Sequence, residues 1–181
     1  NTYLDYSLIY GSNSPIIKNN KIYSYKGGQN KNFFLFSIVP TYRKYFNGSL
    51  NDLINLRRNT KTPILRKEFI VDEYQVYEAF ISGADCILII LSMIDLDLAK
   101  RLENVAMSLG LDAIIEVHNE KEINDAIKFN SNLIGINNRN LKDFTVDINN
   151  AIRLANSIET EKILISESGI NSKSDINQTI T

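Results

Sequence analysis

A single cysteine, Cys86, stands in the 181 residues, so no internal disulfide is available and a reducing compartment suits the chain. Net charge is equally scarce: 20 lysines and arginines against 21 aspartates and glutamates leave −1. A balance this close to zero offers no basic face to nucleic acid or to an anionic membrane. Long apolar runs are missing too, and none reaches the roughly 18 to 20 residues that cross a bilayer. The opening Asn1-Thr2-Tyr3-Leu4-Asp5-Tyr6 has neither the basic start nor the apolar stretch of a signal peptide. The expectation is a soluble, cytoplasmic protein of one domain with a real core, with no nucleic-acid or membrane partner. One histidine, His118, is all there is for imidazole chemistry, and it reads as a loop residue.

What the chain does have, from Pro63 onward, is alternation. Short Ile-, Leu- and Val-rich runs begin near Pro63, Asp85, Asp112, Asn132 and Lys162, and amphipathic stretches separate them. Uninterrupted apolar runs suit strands buried on both faces, and a repeat of roughly 20 to 30 residues is a βα unit. Asp95-Leu96-Asp97 opens a helix that runs to Leu109, with Leu98, Leu102, Val105 and Leu109 on one face and Gly110 as a stop. Asp72 caps a helix that stops at Gly83, Asn119 caps the next, and Asp147 starts another. Before Pro63 the pattern is weaker. Phe33 to Val39 reads as a strand, Ser49 to Arg58 as a helix, and Lys26 to Asn32 as an exposed loop. Residues 1–32 form an atypical N-terminal segment, and 33–181 the α/β domain.

The strand ends carry the chemistry. Lys67 closes the first apolar run, Glu116 the third, Asn137-Asn138-Arg139 the fourth and Glu167-Ser168-Gly169 the fifth, whereas Cys86-Ile87-Leu88-Ile89-Ile90 stays apolar. Polar groups at the same end of successive buried strands are the layout of a (β/α) barrel active site. Taken singly, each residue has a plainer reading. Lys67 is a solvated lysine beside Arg66. Glu116 is a helix-capping or ion-pair partner. Asn137 to Asn140 is a polar loop, and Cys86 is core.

Several stretches together say more. Pro63 to Phe69, Asp72 to Gln75, Gly83-Ala84-Asp85, Glu116-Val117-His118, Gly135 to Leu141 and Ser166 to Ile170 strongly resemble indole-3-glycerol phosphate synthase. Tyr45-Phe46-Asn47-Gly48-Ser49 is similar to that family's loop after the second strand. The resemblance implies a TIM (β/α)8-type barrel and a cofactor-free, metal-free lyase of tryptophan biosynthesis. Its substrate, 1-(2-carboxyphenylamino)-1-deoxyribulose 5-phosphate, loses carbon dioxide and water to give indole-3-glycerol phosphate. The same resemblance implies roles. Lys67 is the general acid, Glu116 the base of the later proton transfer, and Glu167 a second active-site carboxylate. Asn137 is a substrate hydrogen-bond partner. Arg139, Ser168, Gly169 and Ser14 contact the phosphorylated sugar, and Phe46, Phe69 and Leu88 line the ring pocket.

The pattern also departs from the family. Its first strand carries Glu-x-Lys-x-x-Ser-Pro; here Ile9 to Pro15 is the nearest match, with Ile9 in place of the glutamate and Gly11 in place of the lysine. Counted from Phe33 as the second strand, the Lys162 strand is the seventh, and Thr181 falls within the helix that follows. The expectation is therefore an incomplete barrel, a truncated or degenerate member of the family, lacking its eighth βα unit and with an atypical first strand. Two open edges call for a second copy or a complementing chain. The alternative reading is a non-catalytic phosphate-sugar binding or scaffold protein of the same descent.

Overall fold

The apolar runs from Pro63 onward pair side by side as parallel strands because only helical crossovers link them. The computed structural model describes residues 8–10, 23–27, 31–35, 37–43, 47–172 and 174–175. Its elements in chain order are β1 (Leu8–Tyr10), β2 (Tyr23–Gly27), β3 (Lys31–Leu35), β4 (Ser37–Pro40), α1 (Leu50–Asn59), β5 (Ile64–Lys67), α2 (Glu73–Ser82) and β6 (Cys86–Ile90), followed by α3 (Leu96–Ser108), β7 (Asp112–Val117), α4 (Glu120–Ala126), β8 (Leu133–Asn137), α5 (Asn149–Asn156) and β9 (Ile163–Glu167). The main sheet has the order β1-β9-β8-β7-β6-β5-β4. Its six strands from β4 to β9 are parallel neighbours, alternating with helices as in a (β/α) barrel.

Alternation along each strand splits the core in two. Ile64, Ile87, Ile89, Ile115, Val117, Ile134 and Ile136 pack outward with Val76, Leu102, Ile123 and Leu154 of the helices. Leu65, Cys86, Leu88, Ile90, Ile114, Leu133 and Ile165 gather on the opposite face. Each fully buried Ile or Leu contributes about 1.5–3 kcal/mol, so both faces are strongly committed. Burial also pushes the Cys86 thiol well above its ordinary pKa, with Asp112 adding to the effect, which leaves it an inert core residue.

The sheet is curled, and one distance shows by how much. Strands β5 and β9 are four neighbour steps apart, about 19 Å on a flat sheet. Yet Lys67 Nζ at the end of β5 lies 3.4 Å from Glu167 Oε2 at the end of β9. Only a concave inner face brings the two side chains together.

Helix ends follow local chemistry. Ser49 and Asp72 each form a capping box, with Asp52 and Gln75 respectively. Asp95 and Asn119 accept from the backbone of Leu98 and Glu122. Gly83, at φ 91°, ends α2 in the left-handed conformation that glycine tolerates best.

Two expectations need correction. Phe33 to Val39 is not one strand: β3 pairs antiparallel with β2, and β4 pairs parallel with β5. The first half closes a local hairpin with β2 and the second finds its partner across α1 in β5, a change of partner that the run of residues does not reveal. Lys26, Gly27, Lys31 and Asn32 belong to the β2–β3 hairpin rather than to a loop. Asp147 opens α5 as expected, one residue before its N-cap. The cap is Ile148, and Asp147 accepts from the backbone N of Asn149 at 3.0 Å. Of the Ile9–Pro15 match, Ile9 and Tyr10 lie in β1, which runs antiparallel to β9 at the sheet edge. Among the described residues, no helix is long and apolar enough to cross a membrane.

Candidate active site

The inward positions at the C-terminal ends of four parallel strands are polar. Lys67 ends β5, Asn137 ends β8, Glu167 ends β9, and Glu116 precedes the last residue of β7. They share the face of Leu65, Ile114, Leu133 and Ile165 by period-two alternation. Their immediate neighbours point the other way. Arg66 is 3% exposed and turned into the helix layer, where it donates to Thr41 Oγ1, the Gln75 carbonyl and Glu78 Oε2 at 3.0, 2.8 and 2.7 Å. Lys67 and Arg66, adjacent in sequence, therefore stand on opposite sides of the sheet.

Glu116 is 2% exposed. Burial opposes its ionisation, but His118, the Lys67 ammonium and the Asn137 amide together hold its carboxyl below the ordinary carboxylate value. Asn137 Nδ2 donates to Glu116 Oε1 at 3.0 Å, and Asn137 Oδ1 accepts from the Arg139 backbone N at 2.9 Å. Lys67 Nζ donates to Glu167 Oε2 at 3.4 Å. Glu167 is itself buried and stands in register with Asn137. Space for its carboxylate comes from Gly135: a Cβ there would overlap Glu167 Oε1 and lie 2.9 Å from Ile114 Cγ2. An ammonium that can give a proton and a carboxylate that can take one are thus fixed on one concave surface.

The remaining expected residues stand around that centre. Phe69 packs against the inner apolar cluster and meets Tyr42 edge-on, ring centroids 5.0 Å apart. Leu88 is buried in the same cluster. Arg139 is exposed at the rim, its Nη1 donating to the Phe144 carbonyl at 3.3 Å. Ser168 and Gly169 follow Glu167 with φ of 67° and 80°. The close approach at Gly169 is to Val146, whose Cγ1 a Cβ would overlap. Ser14 and Phe46 lie outside the described residues.

Several participants were given no role in the site from the sequence. Asn138 is 3% exposed and faces the helices. Its Nδ2 donates to Ser166 Oγ and the Ser168 carbonyl, and its Oδ1 accepts from Ala151 N. Asn150 Nδ2 donates to the Asn137 and His118 carbonyls. Strand parity separates Asn137 from Asn138, but nothing local announces Asn150. His118, read as a loop residue, has Nε2 3.3 Å from Glu116 Oε1 and Nδ1 3.3 Å from Glu122 Oε2.

The family model described as indole-3-glycerol phosphate synthase matches residues 34–181. A protein of that name from Leuconostoc mesenteroides is 46% identical over 138 residues, covering 76% of this chain and 53% of the relative. One from Polaromonas sp. is 44% identical over 138 residues, covering 76% and 52%. One from Lachnospira eligens is 45% identical over 141 residues, covering 75% and 53%. The chain thus spans about half the length of the curated relatives it matches. With the family's match running through all six parallel strands from β4 to β9, the chain belongs to the indole-3-glycerol phosphate synthase family.

Proposed function

We propose that this chain is a cytoplasmic carbon–carbon lyase of tryptophan biosynthesis. It closes the indole ring of 1-(2-carboxyphenylamino)-1-deoxyribulose 5-phosphate with loss of carbon dioxide and water. In this reading the Lys67 ammonium protonates the sugar oxygen as the ring carbon attacks, and it offsets the negative charge that builds there. Glu116, held ionised, removes the proton whose loss completes dehydration. Glu167 orients the substrate and, through its contact with Lys67, the acid. Asn137 aligns Glu116. Phe69 and Leu88 flank the aromatic ring, and Arg139, Ser168 and Gly169 take the phosphate end, where a guanidinium fork matches phosphate oxygens. The single observation that carries the reading is the convergence of Lys67 with Glu167, at 3.4 Å, on the same inner face as the Glu116–Asn137 pair at 3.0 Å.

A second reading, a phosphate-sugar binding protein without turnover, is favoured by Gly11 at the place of the family's first-strand lysine. One experiment separates them. The purified chain is given the carboxyphenylamino substrate and indole fluorescence is followed, with Lys67→Ala as control. Turnover that falls by about 10²–10⁴ in the control supports the lyase. Saturable substrate binding by a folded chain with no fluorescence change supports the binding protein instead.

A further inference from the structure

His118 is the molecule's sole imidazole, and the proposed chemistry leaves it unused. We propose that His118 is a positioning residue, a cationic bridge that ties the inward carboxylate of Glu116 to Glu122 on α4. The inference rests on the reading of Glu116 as the base.

The geometry is two-sided. His118 Nε2 lies 3.3 Å from Glu116 Oε1, and Nδ1 lies 3.3 Å from Glu122 Oε2. Nε2 is buried, and its partner is Glu116 Oε1, in an ion pair short of ideal hydrogen-bond alignment. A neutral ring has one lone pair and must turn it toward one of the two carboxylates; a doubly protonated ring offers N–H to both. The far end is anchored. Glu122 Oε2 accepts the His118 backbone N at 2.8 Å, Glu122 Oε1 accepts Asn119 Nδ2 at 2.6 Å, and Asn119 Oδ1 accepts Glu122 N at 3.0 Å. The His118 carbonyl is held by Asn150 Nδ2 at 3.3 Å. The charged and titratable groups around the ring are Glu116 from the sheet, with Lys67 acting on Glu116 from across it, and Glu122 from α4. From α5, Arg153 bonds Asn150 Oδ1 and pairs with Asp147. Burial works against the imidazolium, yet the two carboxylates outweigh it and raise its pKa from 6.5 to about 9. A positive bridge in place through the neutral range keeps Glu116 charged and fixed in direction, as a general base requires.

A chain with one histidine gives one imidazole signal, so the test is an NMR titration of the whole protein. The expected midpoint is near 9 in the parent and moves toward 6.5 in Glu122→Gln. In His118→Gln, the Glu116 carboxyl titrates at higher pH than in the parent. Glu122→Gln retains the oxygen that caps the His118 backbone N, so its fold is expected to persist, which circular dichroism verifies. An imidazole midpoint near 6.5 in the parent, or one that Glu122→Gln leaves in place, overturns the bridge. Neither readout needs turnover, so a chain that binds substrate without converting it removes the lyase reading while the titration still decides the bridge.

Discussion

Gly135 shows how one missing side chain sets the geometry of another residue. Its inward position is the space that the Glu167 carboxylate occupies. Gly135→Ala is expected to push that carboxylate off Lys67. A displacement of about 1 Å costs up to about 10²-fold in turnover, and overpacking adds a stability loss of about 1–3 kcal/mol; steady-state kinetics and urea unfolding measure the two separately. The His118 cluster has its own signature in stability. The imidazolium is favoured by folding, so its stabilisation is complete below the ordinary 6.5 and is lost as pH rises through about 9. Burial disfavours charged Glu116 and Glu122, but their partners leave both below 4.5. Their contribution is therefore present above that value and is lost as pH falls. Urea midpoints at about pH 5.5 are expected to exceed those at about pH 8.5, and Glu122→Gln to flatten the difference. Equal midpoints in the parent would rule out a charged cluster. None of this was legible in the string of residues. Gly135 is one glycine within an apolar strand, and His118 gains its partners from the turn of the chain into α4.

At the scale of elements, local chemistry sufficed wherever both partners are near in sequence. Asp72 with Gln75 and Ser49 with Asp52 form capping boxes within one turn, so the starts of α1 and α2 are readable from spacing alone. Asp72→Ala is expected to lower stability by about 1 kcal/mol and to leave turnover unchanged, because the cap faces solvent rather than the concave surface; chemical denaturation alongside the fluorescence assay tests both halves. The β5 to β9 strands were equally plain, since continuous burial on both faces demands apolar residues throughout. Reading failed before Pro63, where the apolar period is weak. The division between β3 and β4 depends on β2 on one side and β5 on the other, and no breaker residue marks the boundary.

For the whole molecule the decisive feature is curvature. A parallel sheet could in principle hold Lys67 and Glu167 far apart; here the inner face closes to a 3.4 Å contact between them. That contact is a solution test of the curl. A double-mutant cycle with Lys67→Met and Glu167→Gln should return a coupling of about 0.5–3 kcal/mol in urea unfolding. Additive single effects would mean that the two strand ends do not meet in solution. The same curvature sets Lys67 to act on Glu116, so acid and base chemistry share one surface.

By itself, the sequence determined the alternation of strand and helix, the caps, the two-faced core and the polar strand ends, because these depend on periodicity and on partners within a few residues. The family resemblance supplied Lys67, Glu116, Asn137 and Glu167 as a set. Only the tertiary structure decided that these four face one concave surface, that Arg66 turns away from it, and that His118 joins Glu116 to Glu122. Those contacts link Lys67 to Glu167 and Glu116 to Asn137 across 100 and 21 positions of chain. Sheet curvature and strand register set them, and neither is written in any local run of residues.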